Sequence, residues 1–156
     1  MPKELEGEAI GEGKRIAIVV SRFNEFVTKM LLRGTMDTLS YLGVLDDDIT
    51  IAWVPGAVEL PLVAQRMAAS GRVDAVIVLG CVIRGETAHF DFVAGQVSDG
   101  VGRIMLDTGV PIIFGVLTTE TSEQAVQRAD VDAENRGADY ARAAIEMIDL
   151  LEKLTP

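Results

Sequence analysis

The sequence has few of the residues on which several common kinds of protein depend. Aromatic residues make up only 5% of it, so aliphatic side chains must provide most of the core. Its one cysteine, Cys81, excludes an internal disulfide and agrees with a reducing compartment. No stretch approaches the roughly 18 apolar residues of a membrane span, and residues 1–13 lack the apolar segment of a signal peptide. We therefore expect a cytoplasmic protein with no membrane partner.

Positive charge is also scarce. Lys and Arg total 14 against 24 Asp and Glu, for a net charge of −10. This balance argues against nucleic-acid backbones and anionic membranes as partners, so an anionic substrate would have to be bound by a few placed arginines. There is no Walker loop, no glycine fingerprint after a strand, and no Cys or His cluster at metal-ligand spacing. We therefore expect no cofactor and no metal.

Apolar residues are plentiful, at 49% of 156, which suits one domain spanning residues 1–156. Four β-branched runs, at 15–20, 49–54, 73–83 and 111–117, are apolar throughout, as is typical of parallel strands covered on both faces. Helical patterns separate and follow them, including a capping box opened by Thr121 with Gln124. The alternation predicts a three-layer α/β domain. Residues 1–13 are too polar for a core element and form either a tail or an arm that pairs with another subunit.

Ligands of such sheets bind outside the carboxyl ends of the strands, in the loops that lead into helices. This rule selects residues 21–24, 55–59, 84–89 and 118–121. The first loop is bulky and cationic, unlike the phosphate loop of a flavodoxin. Ser21 and Cys81 stand where a receiver domain would need carboxylates. The loops therefore argue against FMN binding in the manner of a flavodoxin and against a receiver domain.

The second loop, VPGAVELP, offers backbone donors and one carboxylate. Because Pro61 fits only the first turn of a helix, the helix should start near Val58 and leave Gly56 and Ala57 as open loop with free amides. Glu59 has two interpretations that spacing alone does not separate. It either caps the helix or binds a hydroxylated ligand.

The third loop, GETAH, carries the only histidine of the chain, His89. Its glycine, the hydroxyl of Thr87 and the amides of a helix start favour an anion such as phosphate. Imidazole changes its charge near neutral pH and would transfer protons beside that anion. A surface or structural role is about equally compatible with the position.

Four further features were interpreted from spacing. Arg128 lies on a solvated helix face, forms a salt bridge with Glu123 or Asp132, or makes a bidentate phosphate contact, and spacing alone does not choose among these. Phe23 and Asn24 form a hydrophobic staple with an N-cap, the favoured interpretation, or an aromatic platform for a heterocycle. Three glycines in the third helix should pack against a neighbouring helix, since each costs about 1 kcal/mol relative to alanine; they are Gly95, Gly100 and Gly102. Cys81 and Trp53 are expected in or near the core.

Together the motifs resemble the lumazine synthase family from about residue 7 onward. They are RFN at 22–24, VPGAVELP at 54–61, GCVIRGETAHFDFV at 80–93, IFGVLTTET at 113–121, EQAVQRA at 123–129 and NRG at 135–137. The resemblance implies a flavodoxin-like parallel sheet. It also implies condensation of 5-amino-6-(D-ribitylamino)uracil with 3,4-dihydroxy-2-butanone 4-phosphate, without a cofactor, in riboflavin biosynthesis.

The resemblance also implies roles for individual residues. His89 would transfer protons, and Phe23 would stack on the pyrimidine. The phosphate would be held by Glu86 and Thr87, with Arg128 from an adjacent subunit and a weaker contribution from Arg136. The remaining pyrimidine and ribityl contacts would come from Ala57, Val58, Glu59, Cys81, Val82, Ile83 and, from the neighbour, Phe114.

Assembly is a further implication of the resemblance. It implies a homopentamer whose N-terminal arm extends a neighbour's sheet, with riboflavin synthase as a candidate partner. Two departures lie in residues 130–137: Arg136 replaces the usual lysine and keeps its charge, and Asp130 replaces a glycine. The absence of an insertion there favours a sixty-subunit shell, while Asp130 disfavours it. The alternative to an enzyme is a non-catalytic lumazine- or flavin-binding or scaffold protein of the same fold.

Overall fold

The structure, a computed structural model, describes residues 1–154. Its single described sheet has four parallel strands in the order β2-β1-β3-β4. The strands are β1 (Ile16–Ser21), β2 (Ile49–Val54), β3 (Ala75–Ile83) and β4 (Ile112–Thr119). Each agrees with its predicted run to within two residues at either end. The apolar runs therefore identify the strands. Burial on both faces, as predicted, holds for the central strands β1 and β3, whereas the edge strand β2 is buried only at Val54.

The sheet lies between two layers of helices, so the predicted three-layer α/β arrangement is confirmed. The helices α1, α4 and α5 pack on one face, and α2 and α3 pack on the other. Their bounds are α1 (Glu25–Tyr41), α2 (Leu60–Ala69), α3 (His89–Thr108), α4 (Ser122–Ala129) and α5 (Arg136–Leu154). The predicted capping box is present: Thr121 Oγ1 accepts from the Gln124 amide at 3.1 Å, and Gln124 Oε1 accepts from the Thr121 amide at 3.3 Å.

The core divides at the sheet because successive side chains of a strand point to opposite faces. In β1, Ile16, Ile18 and Val20 face the α1 and α5 side, whereas Ala17 and Val19 face α2 and α3. All five are fully buried. The expectation for Trp53 is wrong: it is 40% exposed, because β2 is an edge strand with only one neighbour.

Only one of the three glycines expected to pack tightly in α3 does so. A Cβ at Gly100 would lie 3.1 Å from Pro61 of α2, whereas Gly95 and Gly102 have no neighbouring atom within 4 Å. The close helix contact is instead between α1 and α5. A Cβ at Gly137 would overlap the Leu31 carbonyl oxygen and would lie 2.8 Å from the Thr35 amide nitrogen.

We expect Gly137→Ala to lower the free energy of unfolding by about 1–3 kcal/mol, because both obstructing atoms belong to backbone that cannot rotate away. Gly102→Ala is the matched control. It adds the same methyl group to a helix where the described chain leaves open space, and it should stabilise by about 0.5–1 kcal/mol through helix propensity. Urea unfolding of both variants measures the two signs; equal signs would contradict the packing account.

Residues 1–11 have no regular secondary structure. Part of this segment lies on the chain's own α5, where the Glu8 amide donates to Asp149 Oδ2 at 2.8 Å. In addition, Lys153 Nζ donates to the Glu6 carbonyl at 2.8 Å. Pairing of the remaining arm with another subunit stays a prediction. Within residues 1–154, no helix combines the length and apolar character needed to cross a membrane.

Candidate active site

Three of the four loops selected from the sequence meet in one cavity, because β2, β1 and β3 are neighbours and the sheet is parallel. The cavity has a volume of about 460 Å³. It is lined by nine predicted site residues, namely Phe23, Ala57, Val58, Glu59, Cys81, Val82, Ile83, Thr87 and His89. Its other lining residues were not predicted as site residues; they are Pro55, Gly56, Gly85, Phe90 and Val93. The last two follow His89 at the positions where the first turns of α3 face the cavity.

The loop after β1 presents the Phe23 ring at the cavity rim, 69% exposed. Two backbone bonds hold this loop to the end of β2: the Arg22 amide donates to the Val54 carbonyl at 2.8 Å, and the Phe23 amide donates to the Pro55 carbonyl at 3.0 Å. The favoured expectation of a side-chain N-cap from Asn24 is wrong. Asn24 adopts a left-handed conformation with φ 60° and makes no capping bond. Instead its Nδ2 donates to the Cys81 carbonyl at 2.9 Å, which ties the first loop to β3.

The loop after β2 is more ordered than expected. Ala57–Glu59 form one turn of 3-10 helix, and α2 begins at Leu60 rather than near Val58. The Gly56 amide is not free, because it donates to Glu59 Oε1 at 3.0 Å. The capping interpretation of Glu59 is thus observed. Glu59 also lines the cavity, and its second carboxylate oxygen leaves capacity for a ligand donor.

The end of β3 contributes Cys81 to the cavity wall, with the side chain only 2% exposed, as expected for a core residue. Burial raises the pKa of the Cys81 thiol from 9.0 to about 11. The thiolate is the reactive form of cysteine. Cys81 is therefore an apolar wall residue of this cavity rather than a nucleophile.

We expect the native Cys81 thiol to react roughly tenfold to a hundredfold more slowly with a disulfide reagent than the same thiol in unfolded protein, since thiolate is scarce and access is restricted. Because the chain has one cysteine, the colour released by a thiol-specific chromogenic disulfide at pH 8 reports this site alone. Cys81→Ser, which should release none, is the control. Equal rates in native and urea-unfolded protein would show that the thiol is neither buried nor suppressed.

The loop after β3 ends at His89, the first residue of α3. The His89 amide donates to Thr87 Oγ1 at 3.3 Å, so the Thr87 hydroxyl hydrogen remains available to a ligand oxygen. The His89 side chain is exposed, and within residues 1–154 its imidazole has no hydrogen-bond or ion-pair partner. A helix start, a hydroxyl and an imidazole thus lie together at one side of the cavity, a combination suited to an anion.

Four predicted site residues do not line the cavity. Glu86 is exposed on the loop. Phe114 is paired with Val78 within the sheet, on the edge strand β4, and is 37% exposed. Arg136, at the start of α5, forms an ion pair with Glu134 at 3.1 Å. The structure of one chain therefore brings together nine of the predicted site residues but neither of the two arginines.

Arg128 lies on α4, which follows β4 and not one of the three strands beneath the cavity. Of the interpretations left open by the sequence, the salt bridge with Glu123 or Asp132 is absent from residues 1–154; Arg128 Nη1 donates to the Gln124 carbonyl at 3.0 Å. Its positive charge is thus not neutralised by a carboxylate of the described chain. A half-exposed guanidinium in that state is available to an anion.

No group of three or more His, Cys, Asp or Glu side chains suited to a metal ion occurs among residues 1–154.

Comparison with known protein families gives one match that covers nearly the whole chain. Residues 13–152 match the family described as 6,7-dimethyl-8-ribityllumazine synthase.

Proposed function

Because the chain belongs to the 6,7-dimethyl-8-ribityllumazine synthase family, and so to riboflavin biosynthesis, we propose that it condenses 5-amino-6-(D-ribitylamino)uracil with 3,4-dihydroxy-2-butanone 4-phosphate. The products are 6,7-dimethyl-8-ribityllumazine, phosphate and water. The observation that carries this proposal is the single cavity that gathers Phe23, Glu59 and His89 from three loops. A flat aromatic ring, a carboxylate and an imidazole match a heterocycle, a polyol chain and a proton transfer.

The pyrimidine substrate suits the half of the cavity formed by the loops after β1 and β2. Its ring would stack on Phe23, whose exposed face is free to accept it. Its ribityl hydroxyls would donate to the Glu59 oxygen that is not engaged by Gly56. The apolar wall of Cys81 and Val82 would exclude water from the ring edge.

The butanone phosphate suits the half of the cavity formed by the loop after β3. The Thr87 hydroxyl and the amides at the start of α3 would donate to the phosphate, with Glu86 contributing its amide. Arg128, and more weakly Arg136, would neutralise the phosphate charge from an adjacent subunit. An overall charge of −10 makes such placed cations necessary for an anionic substrate.

The chemistry requires two carbon–nitrogen bonds to form, each with loss of water, and one carbon–oxygen bond to phosphate to break. His89 would move the protons that accompany these steps, taking one from the attacking amine or the substrate carbon and returning one to a leaving oxygen. Arg128 would stabilise the departing phosphate. Holding both substrates in one cavity supplies the remaining advantage, because it replaces a collision with a fixed approach.

Assembly into a homopentamer, or a larger shell of pentamers, is part of the proposal. Several large apolar side chains are exposed on the single chain, among them Phe26, Leu62, Phe92 and Leu106. Burial of such side chains against another subunit would remove this apolar surface from water. Assembly would bring Phe114 and Arg128 of one subunit toward the cavity of another. The non-catalytic alternative is not favoured, because a scaffold needs none of Phe23, Glu59 and His89 in one cavity.

The test is a fluorescence assay of the purified protein with both substrates against an enzyme-free control, which corrects for spontaneous condensation. We expect formation of the fluorescent lumazine well above the control, and its loss when either substrate is omitted. Binding of the pyrimidine without product would support the non-catalytic alternative. Sedimentation velocity of the same preparation tests the assembly separately, and a monomer would overturn the proposed interface.

A further inference from the structure

We propose that Arg84 is a positioning residue for His89, and that it acts by fixing the first turn of α3 against the end of β4. The inference rests on the proposed function, because it concerns the group that would transfer protons. Arg84 itself does not line the cavity. Its role would be to hold the histidine rather than to touch a substrate.

The backbone of Arg84 is fixed first. Arg84 directly follows β3, and its amide donates to the Thr119 carbonyl at 2.8 Å. This bond continues the parallel ladder between β3 and β4 by one residue beyond the strand end. The Arg84 side chain therefore extends from backbone that is held in place at the carboxyl end of β3.

The guanidinium of Arg84 then connects two elements. Its Nε lies 3.0 Å from a carboxylate oxygen of Glu120, the residue after β4. Its Nη2 lies 3.2 Å from Asp91 Oδ1, in the first turn of α3. The guanidinium carbon also lies 4.4 Å from the centre of the Phe90 ring, a cation–π distance. Phe90 and Asp91 are the two residues that follow His89.

These contacts matter because little else holds the chain between Arg84 and His89. Residues 85–88 form no helix or strand, and the imidazole has no partner of its own within residues 1–154. The position of the imidazole therefore depends on the backbone of the first turn of α3. The ion pair between Arg84 and Asp91 connects the two ends of this loop, namely the end of β3 and the first turn of α3.

The charges explain why Arg84 holds the turn rather than a substrate. Hydrogen bonds to Asp91 and to Glu120 raise the pKa of the Arg84 guanidinium above its ordinary value. Two carboxylates already surround this one cation, so it offers a phosphate little net attraction. Arg128, which has no ion pair within the described chain, is in the opposite situation. An isolated exposed ion pair contributes little to stability. A guanidinium that contacts two carboxylates and the Phe90 ring, however, restricts the orientation of the first turn of α3.

Arg84→Met tests the inference through kinetics, because it keeps the length of the side chain and removes the fork. We expect kcat to fall about tenfold, with the KM for the pyrimidine within about twofold, since misplacing a reacting group slows the chemical step. Arg84→Lys keeps the charge but not the fork, so its kcat should lie between those of the wild type and Arg84→Met. Arg33→Met is the matched control, because Arg33 forms an exposed ion pair with Asp37 on α1.

A double-mutant cycle with His89 separates positioning from general stability. If Arg84 acts through His89, then Arg84→Met in a His89→Ala background should change the residual turnover by less than about twofold. An undiminished tenfold loss in that background would overturn the inference. Asp91→Asn is a second variant with the same expectation, for use if Arg84→Met does not fold.

The only histidine of the chain also allows a test that needs no turnover. In untagged protein carrying isotope-labelled histidine, the imidazole gives one nuclear magnetic resonance signal. Arg84→Met should shift or broaden this signal, and Arg33→Met should leave it unchanged. An unchanged signal in Arg84→Met would overturn the positioning role even if the protein proves to have no synthase activity. Conversely, if the wild-type protein is inactive but Arg84→Met still changes the imidazole signal, the result would contradict the proposed function alone.

Discussion

Replacing Arg128 by alanine is expected to raise the KM for 3,4-dihydroxy-2-butanone 4-phosphate roughly a hundredfold, while the KM for the pyrimidine changes less than about threefold. The guanidinium has no ion pair within residues 1–154, so its charge is available to a phosphate. Removing it would leave a dianion facing a chain of net charge −10. Steady-state kinetics with each substrate varied in turn measure both constants.

The control for Arg128→Ala must change the net charge equally. Arg142→Ala does so at an exposed position on α5 and should leave both KM values nearly unchanged. Similar increases for both substrates in Arg128→Ala would place the phosphate elsewhere. The same conclusion would follow if Arg142→Ala produced the effect of Arg128→Ala.

Arg128 and His89 lie apart within a single chain. Arg128 does not line the cavity that contains His89, so we propose that the two act together across a subunit interface. Co-expression of Arg128→Ala and His89→Ala chains in equal amounts would then place two intact residues in about a quarter of the sites, for random assortment in a ring. The mixed assemblies should be more active than either variant alone. No gain over the separate variants would mean that both residues serve the same subunit's site.

The fold could be predicted from the sequence because its central strands have one solution. A run such as residues 75–80, apolar at every position, fits a parallel strand with helices on both faces and fits no half-exposed strand. The capping box at Thr121 fixed the start of α4 for a similar reason, since its two bonds involve residues only three apart. Local patterns of this kind need no knowledge of the rest of the chain.

Three differences between expectation and structure concern interactions between segments distant in the sequence. Asn24 was expected to cap the helix that follows it, but its side chain bonds the Cys81 carbonyl, 57 residues away. No local pattern marks Gly137, although it lies against the backbone of α1 where α1 and α5 pack. Trp53 was placed in or near the core because its neighbours are apolar, yet β2 lies at the sheet edge. Neither strand order nor helix crossing can be determined from a local pattern.

The candidate site was predictable to the extent that the chain's topology determines it. The rule that loops meet at the carboxyl ends of parallel strands led to Glu59 and His89, and the strand order β2-β1-β3 brings both into one cavity. The same order explains why the fourth selected loop, after β4, does not line that cavity. The role of Phe114 rests on the family resemblance alone. Spacing leaves a phosphate contact of Arg128 open, and the resemblance alone assigns that contact to a neighbouring subunit. Both roles need a second subunit and remain proposals for that physical reason.

Replacing His89 by alanine is expected to lower kcat roughly a hundredfold, at the low end of general acid–base effects of about 10² to 10⁴. The low end is appropriate because the imidazole is exposed, so water can enter its place and transfer protons less efficiently. Affinity for the pyrimidine should change little, since its ring and ribityl contacts lie on other loops. Stopped-flow measurement of single turnovers, with calorimetric titration of the pyrimidine, gives both quantities.

His89→Gln is the matched variant for this prediction. Its amide retains hydrogen-bonding capacity at a similar distance from the backbone but cannot carry a proton at neutral pH. If proton transfer is the role of His89, His89→Gln should be nearly as slow as His89→Ala. If His89→Gln retains most of the wild-type rate, the imidazole only binds the phosphate or orders the loop. Turnover that is unchanged in both variants would remove His89 from the mechanism and leave positioning of the substrates, with Arg128, as the source of rate enhancement.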